Sequence, residues 1–433
     1  MLKLFRNDRR IVSSVKISSE APVNLGFAPK KLRFLLSECY VEGGAHVLVG
    51  DLLGITPESR IVASGVSGTV TEITEYPEGL FSLTVENDGL GSVCPDDLPF
   101  GDRNAIDVTD LTPEILVSEI ERSLVSTRLS GISLTDRTLS QRIKEADGKA
   151  KQIVISALSC DPYDSSYERL VEECSEDILA GMKILMASLK IGEGVIVVDT
   201  ENKRRPEGLA SLIKPTDNIK VVFADVRYPS DNEHTILHAL TSVELSRKRN
   251  AERLACVVFD VKEIIAIARA FLSGSKETGE TVTVVGTDVG FSLNVYLPYG
   301  TELSEIAELC SAELSDDVTV SVSGILRGRS VSASETFAPG MGPIVFLENK
   351  KIPKFNGTRC LRCGRCASVC PMFLLPSYIY LACSLESKQM AEKFDMPSCI
   401  ECGACQYVCD GEIPLLSYIR DFKNAGTEDD SDE

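Results

Sequence analysis

Tryptophan is absent, and only three histidines (His46, His234, His238) occur in 433 residues. A histidine-based catalytic constellation has little material here, and each of the three reads as a surface or packing residue. Positive charge is also short. Lys and Arg total 45 against 64 Asp and Glu, a formal net charge of −19. Such a chain lacks the basic footprint that a phosphate backbone requires, so no nucleic-acid partner is expected. An anionic membrane surface would repel it unless a partner anchored it. No stretch reaches the ~20 apolar residues that span a bilayer. The longest uncharged candidate, Met372 to Leu385, is short and interrupted by Pro376. No apolar run follows the basic residues of MLKLFRNDRR, so no secretory signal is expected and the protein should stay in the cytoplasm.

What remains is an ordinary globular composition, 43% hydrophobic and 25% charged. At ~100–200 residues per domain, the length suggests three or four domains. Cysteine is the anomaly. Of fifteen, six (Cys39, Cys94, Cys160, Cys174, Cys256, Cys310) are scattered, and nine fall between Cys360 and Cys409. Scattered singles in a reducing compartment act as small buried hydrophobes. The dense group needs chemistry.

From Cys360 the chain reads CLRCGRCASVCP, and from Cys399 it reads CIECGACQYVCD. Both are C-x2-C-x2-C-x3-C, the bacterial ferredoxin spacing for a pair of [4Fe–4S] clusters. Three closely spaced thiolates in a loop can face one cubane, while the fourth starts the departing helix and ligates the other. This assigns Cys360, Cys363, Cys366 and Cys409 to one cluster, and Cys399, Cys402, Cys405 and Cys370 to the second. Gly364 and Gly403 stand where a side chain would crowd the turn. Pro371 follows the first run's last cysteine, whereas Asp410 takes that place in the second; no ligand depends on the difference. Two all-thiolate zinc sites are the alternative, but the C-x2-C-x2-C crowding favours a cubane. A disulfide framework does not suit a chain without a signal peptide. Cys383, in the connector, reads as a packing residue. The segment from Phe373 to Phe394 reads as one or two helices whose Leu374, Leu375, Ile379 and Leu381 pack a core.

Along the chain, VLVGDLLGI and SGVSGTVTEI read as short strands separated by glycine turns. Their resemblance is to the barrel-sandwich fold of lipoyl and biotinyl domains, without a modifiable lysine in the intervening turn. A helix is expected from Thr112, with Pro113 and Glu114 in its first turn. Strands QIVISAL, EGVIVVD and IKVVFADV then alternate with helices over Ser165 to Leu189, Pro206 to Ile213 and Asn232 to Leu240, a Rossmann-like parallel sheet. Residues 280–330 read as strand, strand, helix, strand, a β-grasp pattern. The expected fold class is α/β multidomain: a barrel-sandwich hybrid-like β domain (1–104), a Rossmann-like α/β domain (105–245), a β-grasp, soluble-ligand-binding domain (246–345), a ferredoxin-like α-helical domain with two clusters (346–424) and a disordered acidic tail (425–433).

In this order, with CPMFLLP and GEIPLLSYIR after the cysteine runs and echoes in ALSCDPY, RYP and VYLPYGTEL, the chain resembles the C subunit of the Rnf electron-transport complex over nearly its whole length. The resemblance implies a peripheral subunit on the cytoplasmic face of the membrane. Its partners would be the other subunits of a translocase that couples electron transfer to ion movement. It also implies FMN and NADH at the α/β domain, and there the carry-over fails. Where the family has a glycine-rich loop like GLGGAGFPT, this chain has SGISLTDRTLSQRI, with no glycine between Gly131 and Gly148. Where it has NGAECEPY, this chain has SALSCDPY, with Ser156 for the Asn and Ser159 for the first Glu. Where it has Asn-Val-x-Thr, this chain has Asp260-Val261-Lys262-Glu263, which sets two carboxylates beside a dianionic phosphate. A like-charge pair ~4 Å apart costs several kcal/mol at an effective ε near 20.

The expected function is thus an Fe–S relay subunit of an Rnf-type complex that has lost its NADH/FMN port. Electrons would enter from a flavodoxin or ferredoxin, and the net negative charge suggests a basic patch on that carrier. The alternatives are an NADH dehydrogenase subunit with a remodelled FMN site and a soluble flavin-linked enzyme resembling the cobalamin reductases.

Overall fold

A computed structural model of the chain describes residues 2–3, 22–94, 111–128, 138–200, 206–229, 231–241, 255–286, 291–312, 314–315, 317–352, 354–357 and 359–429. The runs QIVISA, GVIVVD and CVVFD are apolar without alternation, as strands covered on both faces must be. They form Gln152–Ala157, Gly194–Asp199 and Cys256–Asp260, three strands of a five-stranded parallel sheet. Its order runs from Leu2–Lys3 through Ile219–Asp225, Gly194–Asp199 and Gln152–Ala157 to Cys256–Asp260. The helix Pro113–Arg122 starts as expected, with the Thr112 hydroxyl accepting from Ile115 N at 3.4 Å.

Three expectations about boundaries change. Cys256–Asp260 and its helix Val261–Ser273 belong to the parallel sheet, not to a domain beginning at 246. An apolar strand needs cover on both sides, and the edge beside Gln152–Ala157 supplies it. Leu2–Lys3 occupies the opposite edge, so residues 1–104 are not one unit; pairing there blunts an open sheet edge. The helical stretch from Ser165 divides into Ser166–Glu173 and Ser175–Leu189. At the break the Ser175 hydroxyl bonds the Val171 carbonyl at 2.7 Å, a back-bond that bends helices.

The remaining sheets are a four-stranded antiparallel one (Lys31–Leu36, Phe81–Asn87, Gly68–Glu75, His46–Val47), a three-stranded one (Glu38–Cys39, Leu52–Ile55, Ile61–Ala63) and a five-stranded mixed one. The mixed sheet runs Phe291–Pro298, Gly279–Gly286, Ile344–Glu348, Val318–Val322, Arg329–Val331, and the helix Leu303–Leu309 follows Phe291–Pro298 in sequence. Leu32, Phe34 and Leu83 share one core with Val282, Val295 and Ile306, which welds the two β regions together.

The cysteine runs lie among the short helices Arg365–Ser368, Pro376–Ser384, Lys388–Lys393 and Ala404–Tyr407, closed by Leu415–Asp429. That last helix enters the segment expected to be disordered; residues 430–433 lie outside the described residues. Arg420 and Lys423 pin it to Glu401 at 3.2 and 2.8 Å, and helix propagates from an anchored turn at little cost. Among the described residues no helix is long and apolar enough to cross a membrane.

The helices Ser175–Leu189 and Val261–Ser273 meet at Gly181, where an added Cβ would lie 2.5 Å from the Ile264 carbonyl oxygen. Gly181→Ala is expected to destabilise the protein by ~1–3 kcal/mol through overpacking. A denaturation midpoint equal to wild type would contradict that packing.

Candidate cluster-binding site

Each cysteine run turns at a glycine in the left-handed region, Gly364 at φ +74° and Gly403 at φ +72°, from which a short helix departs. At Gly403 space is demanded as well as conformation, since a Cβ there would meet the Leu326 carbonyl oxygen at 2.1 Å. The thiols are not grouped run by run. Cys370, the last of the first run, lines one pocket with Cys399, Cys402 and Cys405, walled by Met372, Leu374, Ile379 and Ile419. Cys366 and Cys409 pack with Tyr380 on Ile413 and Leu415, a patch that Cys405 also touches. Cys360 and Cys363 are exposed. Cys383 is buried, its sulfur 3.8 Å from that of Met396, a packing role.

Among the described residues, no three His, Cys, Asp or Glu side chains converge tightly enough to hold a single metal ion. Burial pushes the Cys370 thiol up to about 11 and the Cys402 thiol up to about 12, and also raises Cys399 and Cys405. Opposing this, backbone N–H groups of Leu374 and Met372 donate to Cys370, that of Glu401 to Cys399 and that of Ala404 to Cys402. The charges of Lys423 and Arg420 stand beside Cys399. Such donors are what cluster thiolates require, so a [4Fe–4S] group fits these residues.

The fold adds Tyr228, Arg327 and Arg420; the sequence marks the regions of the first and last, through RYP and GEIPLLSYIR, and not Arg327. The Tyr228 hydroxyl donates to the Cys402 carbonyl. The Arg327 guanidinium sits 5.8 Å from the Tyr228 ring centroid and bonds Asp231 at 2.6 Å. Arg420 donates to the carbonyls of Arg327 and Gly328. Cys402 and Val369 thereby join the core on one face of the parallel sheet, with Val154, Val197 and Val258. Tyr228, Asp231 and Cys160 all follow the carboxyl ends of parallel strands, the side on which such sheets bind ligands. Burial pushes the Cys160 thiol well up and raises the Asp161 carboxyl to about 6. Asp161 is 1% exposed, and its Oδ2 has no hydrogen-bond partner among the described residues.

The flavin-region residues do come together, but they satisfy one another. Ser156 and Asp260 are register partners on adjacent strands. Asp260 caps the helix Val261–Ser273, accepting from Lys262 N at 2.8 Å and from the Tyr167 hydroxyl at 2.7 Å. Glu263 reaches back to Asp260 N at 3.0 Å and accepts from Arg128 N at 2.7 Å. It also pairs with the Arg142 guanidinium, with side-chain exposures of 2% for Arg142 and 0% for Glu263. Arg128 is spent on Glu277 and Glu280 at 2.6 and 2.7 Å. Burial, then the Glu263 charge, lifts the Asp260 carboxyl to about 6. Ser159 bonds Asp164 at 2.9 Å. The helix N-terminus that could take a phosphate is filled by the chain's own carboxylates, so FMN does not fit these residues. Of the stretch SGISLTDRTLSQRI, residues 130–137 lie outside the described residues, and Leu139–Ala146 is a helix with a Thr138/Gln141 capping box. A cavity lined by Arg128, Lys262, Arg269, Lys276, Glu277 and Glu280 adjoins this network through Arg128 and Lys262, although Ser156, Ser159, Asp260 and Glu263 do not line it.

Two families match parts of the chain: the Nuo51 FMN-binding domain over residues 135–269 and the 4Fe-4S dicluster domain over residues 352–410. The chain is also similar to proteins named as the C subunit of an ion-translocating oxidoreductase complex. That of Haemophilus influenzae (strain PittEE) is 26% identical over 400 residues, covering 89% of this chain and 58% of that protein. That of Buchnera aphidicola subsp. Baizongia pistaciae is 28% identical over 293 residues, covering 67% of this chain and 58% of that protein. The chain thus spans less than two thirds of the length of these relatives. Among solved structures, an NAD+-reducing [NiFe]-hydrogenase in the H2-reduced state overlaps with a TM-score of 0.47 at 12% identity, over 73% of this chain and 63% of that chain.

Two outcomes are expected from this geometry. Cys370→Ser should damage the cluster bound by the second run, and Cys366→Ser the one bound by the first; loss of each run's own cluster instead would contradict the crossing. Asp161→Asn should stabilise the protein at pH 7 by on the order of 3 kcal/mol. A carboxyl raised from 3.8 to about 6 favours the fold below 3.8, and that contribution is lost as pH rises through 6. The gain in the denaturation midpoint should therefore shrink as pH falls from 7 toward 4, and a pH-independent difference would contradict the assignment.

Proposed function

We propose that this chain, a divergent homologue of the C subunits of ion-translocating oxidoreductase complexes, is a peripheral electron-transfer subunit of such a complex. It relays electrons through two [4Fe–4S] clusters and has lost the NADH/FMN entry port. In this reading Cys360, Cys363, Cys366 and Cys409 hold an outer cluster, and Cys370, Cys399, Cys402 and Cys405 hold an inner one. The observation that carries it is the pocket in which Cys370 stands among the thiols of the other run. Each cluster, when bound, supplies a one-electron centre. The chain's own residues do the rest. Tyr228 and the Leu326–Gly328 loop seat the inner thiols on the parallel sheet, and backbone amides donate to the sulfurs. Exposed Cys360 and Cys363 leave the outer set open to exchange.

The same reading assigns the β regions to barrel-sandwich and β-grasp folds and the parallel sheet to a Rossmann-like domain. It places the subunit on the cytoplasmic face, held by the membrane-embedded subunits, with a flavodoxin or ferredoxin as soluble carrier. An NADH dehydrogenase subunit with a remodelled flavin site is the second reading, favoured by the Nuo51 match. The buried carboxylates Asp260 and Glu263 at the N-terminus of the helix Val261–Ser273 argue against it, because they occupy the end of the helix that would favour a phosphate.

Anaerobic addition of NADH to cluster-loaded protein, with and without FMN, separates the two. The visible Fe–S absorbance should bleach with dithionite and not with NADH. Bleaching by NADH would mean the port survives in altered form.

A further inference from the structure

Between Glu348 and Glu386 the chain contains no Asp or Glu, yet Lys350, Lys351, Lys354, Arg359, Arg362 and Arg365 all fall there. In a protein of net charge −19 this is a local reversal of sign. The fold places it around the outer thiols. Every residue from Arg359 to Arg365 is exposed, Cys360 and Cys363 included. Leu361, at 60% exposure, stands between Arg359 and Arg362. Lys350 is paired with Glu348, and Arg365 with Asp410 from the second run. Lys354, Arg359 and Arg362 are exposed and make no ion pair among the described residues. Glu412 also lies beside the loop, its backbone carbonyl accepting from Gly357 N at 2.9 Å.

The second run has the opposite surroundings. Cys402 and Cys405 are buried, Glu401 is tied to Arg420 and Lys423, and Leu326 covers Gly403. Of the two runs, the first presents thiols, free cations and an apolar residue on one surface.

We infer that the Lys354–Arg365 loop is the docking surface for an acidic electron-carrying protein whose redox centre meets the outer cluster. This rests on the relay reading above and deepens it by naming the carrier's chemistry. It also reverses the expectation drawn from net charge, which pointed to a basic patch on the carrier. Steering acts over about a Debye length, ~8–10 Å at ordinary ionic strength, so the charges beside the exchanging centre outweigh the molecular total. The apolar Leu361 within a cationic rim has the layout of a small transient interface. Anionic lipid would also attract such cations, but a bilayer accepts no electron, and the exposed pair of cluster thiols at the centre of the loop favours a redox protein. Cys360, Cys363, Cys366 and Cys409 would hold the outer cluster, which when bound would supply a one-electron acceptor for the reduced carrier; the exchange would need no bond or proton to move.

The test uses the full-length, cluster-loaded protein with a small acidic ferredoxin as probe, and a basic cytochrome c as the opposite charge. Iron content and dithionite bleaching are recorded first, and failure there overturns the relay reading. Calorimetric binding of the ferredoxin reads docking whether or not clusters are present. Arg359→Glu with Arg362→Glu should slow reduction by ferredoxin at least 10-fold at low salt, weaken its binding in parallel and leave dithionite bleaching unchanged. Lys354→Glu, outside the cysteine run, should give a smaller loss in the same direction and covers the case in which the double variant loses a cluster. The wild-type rate should fall as salt rises. Unchanged rates in the variants, a wild-type rate that rises with salt, or faster exchange with cytochrome c would overturn the inference. So would substitutions that abolish sedimentation with anionic vesicles while leaving ferredoxin reduction intact.

Discussion

The placement of Cys370 among Cys399, Cys402 and Cys405 is the constraint on which the C-terminal region depends. The helices there are short, four residues at Arg365–Ser368 and at Ala404–Tyr407, and helices of that length do not persist alone in water. Their apolar contacts form small separate clusters around Ile379 and Ile413 instead of one core. Under the proposed crossed assignment, a shared ligand set would supply the missing cohesion, because binding energy at a site absent from the unfolded chain becomes folding energy. The same set is fastened from outside. Tyr228 holds the Cys402 carbonyl, and Arg420 holds the loop that packs on Gly403. The second cysteine run is thereby fixed to the parallel sheet, while Cys360 and Cys363 of the first are exposed.

A second network holds the α/β domain at the place where a cofactor phosphate would sit. Asp260 and Glu263 cap their helix, Arg142 neutralises Glu263, and Arg128 donates its backbone N–H to Glu263 while its guanidinium is held by Glu277 and Glu280. Burial alone would lower the Arg128 pKa, but its partners hold it well up. Removing one member of such a buried pair leaves an uncompensated charge, typically about 3–5 kcal/mol. The network is stable only as a whole. Carboxylates that would repel a phosphate are structural assets once two arginines have closed on them.

Much of this is legible in the residues because the chemistry is local. Cysteine spacing names a cluster pair, unbroken apolar runs such as GVIVVD name strands covered on both faces, and Thr112-Pro113 names a helix start. The parts that escape a reading of the sequence depend on partners distant along the chain. Nothing near Leu2 announces pairing with Ala224, and nothing near Arg327 announces Tyr228 and Asp231. Glu263 reads in the sequence as a charge hostile to phosphate. Its pairing with Arg142 across 121 residues is invisible. Net charge likewise averages over surfaces that the fold keeps apart, and says nothing of the cations gathered between Glu348 and Glu386.

Two clusters built from crossed ligand sets are the centre of this reading. The most direct measurement is iron and acid-labile sulfide analysis of anaerobically purified protein, combined with electron paramagnetic resonance of the dithionite-reduced form. About eight iron and eight sulfide per chain, with spectra broadened by coupling between two reduced [4Fe–4S] centres, is the predicted result. Zinc in place of iron, or a single isolated cluster signal at half that iron content, would contradict it.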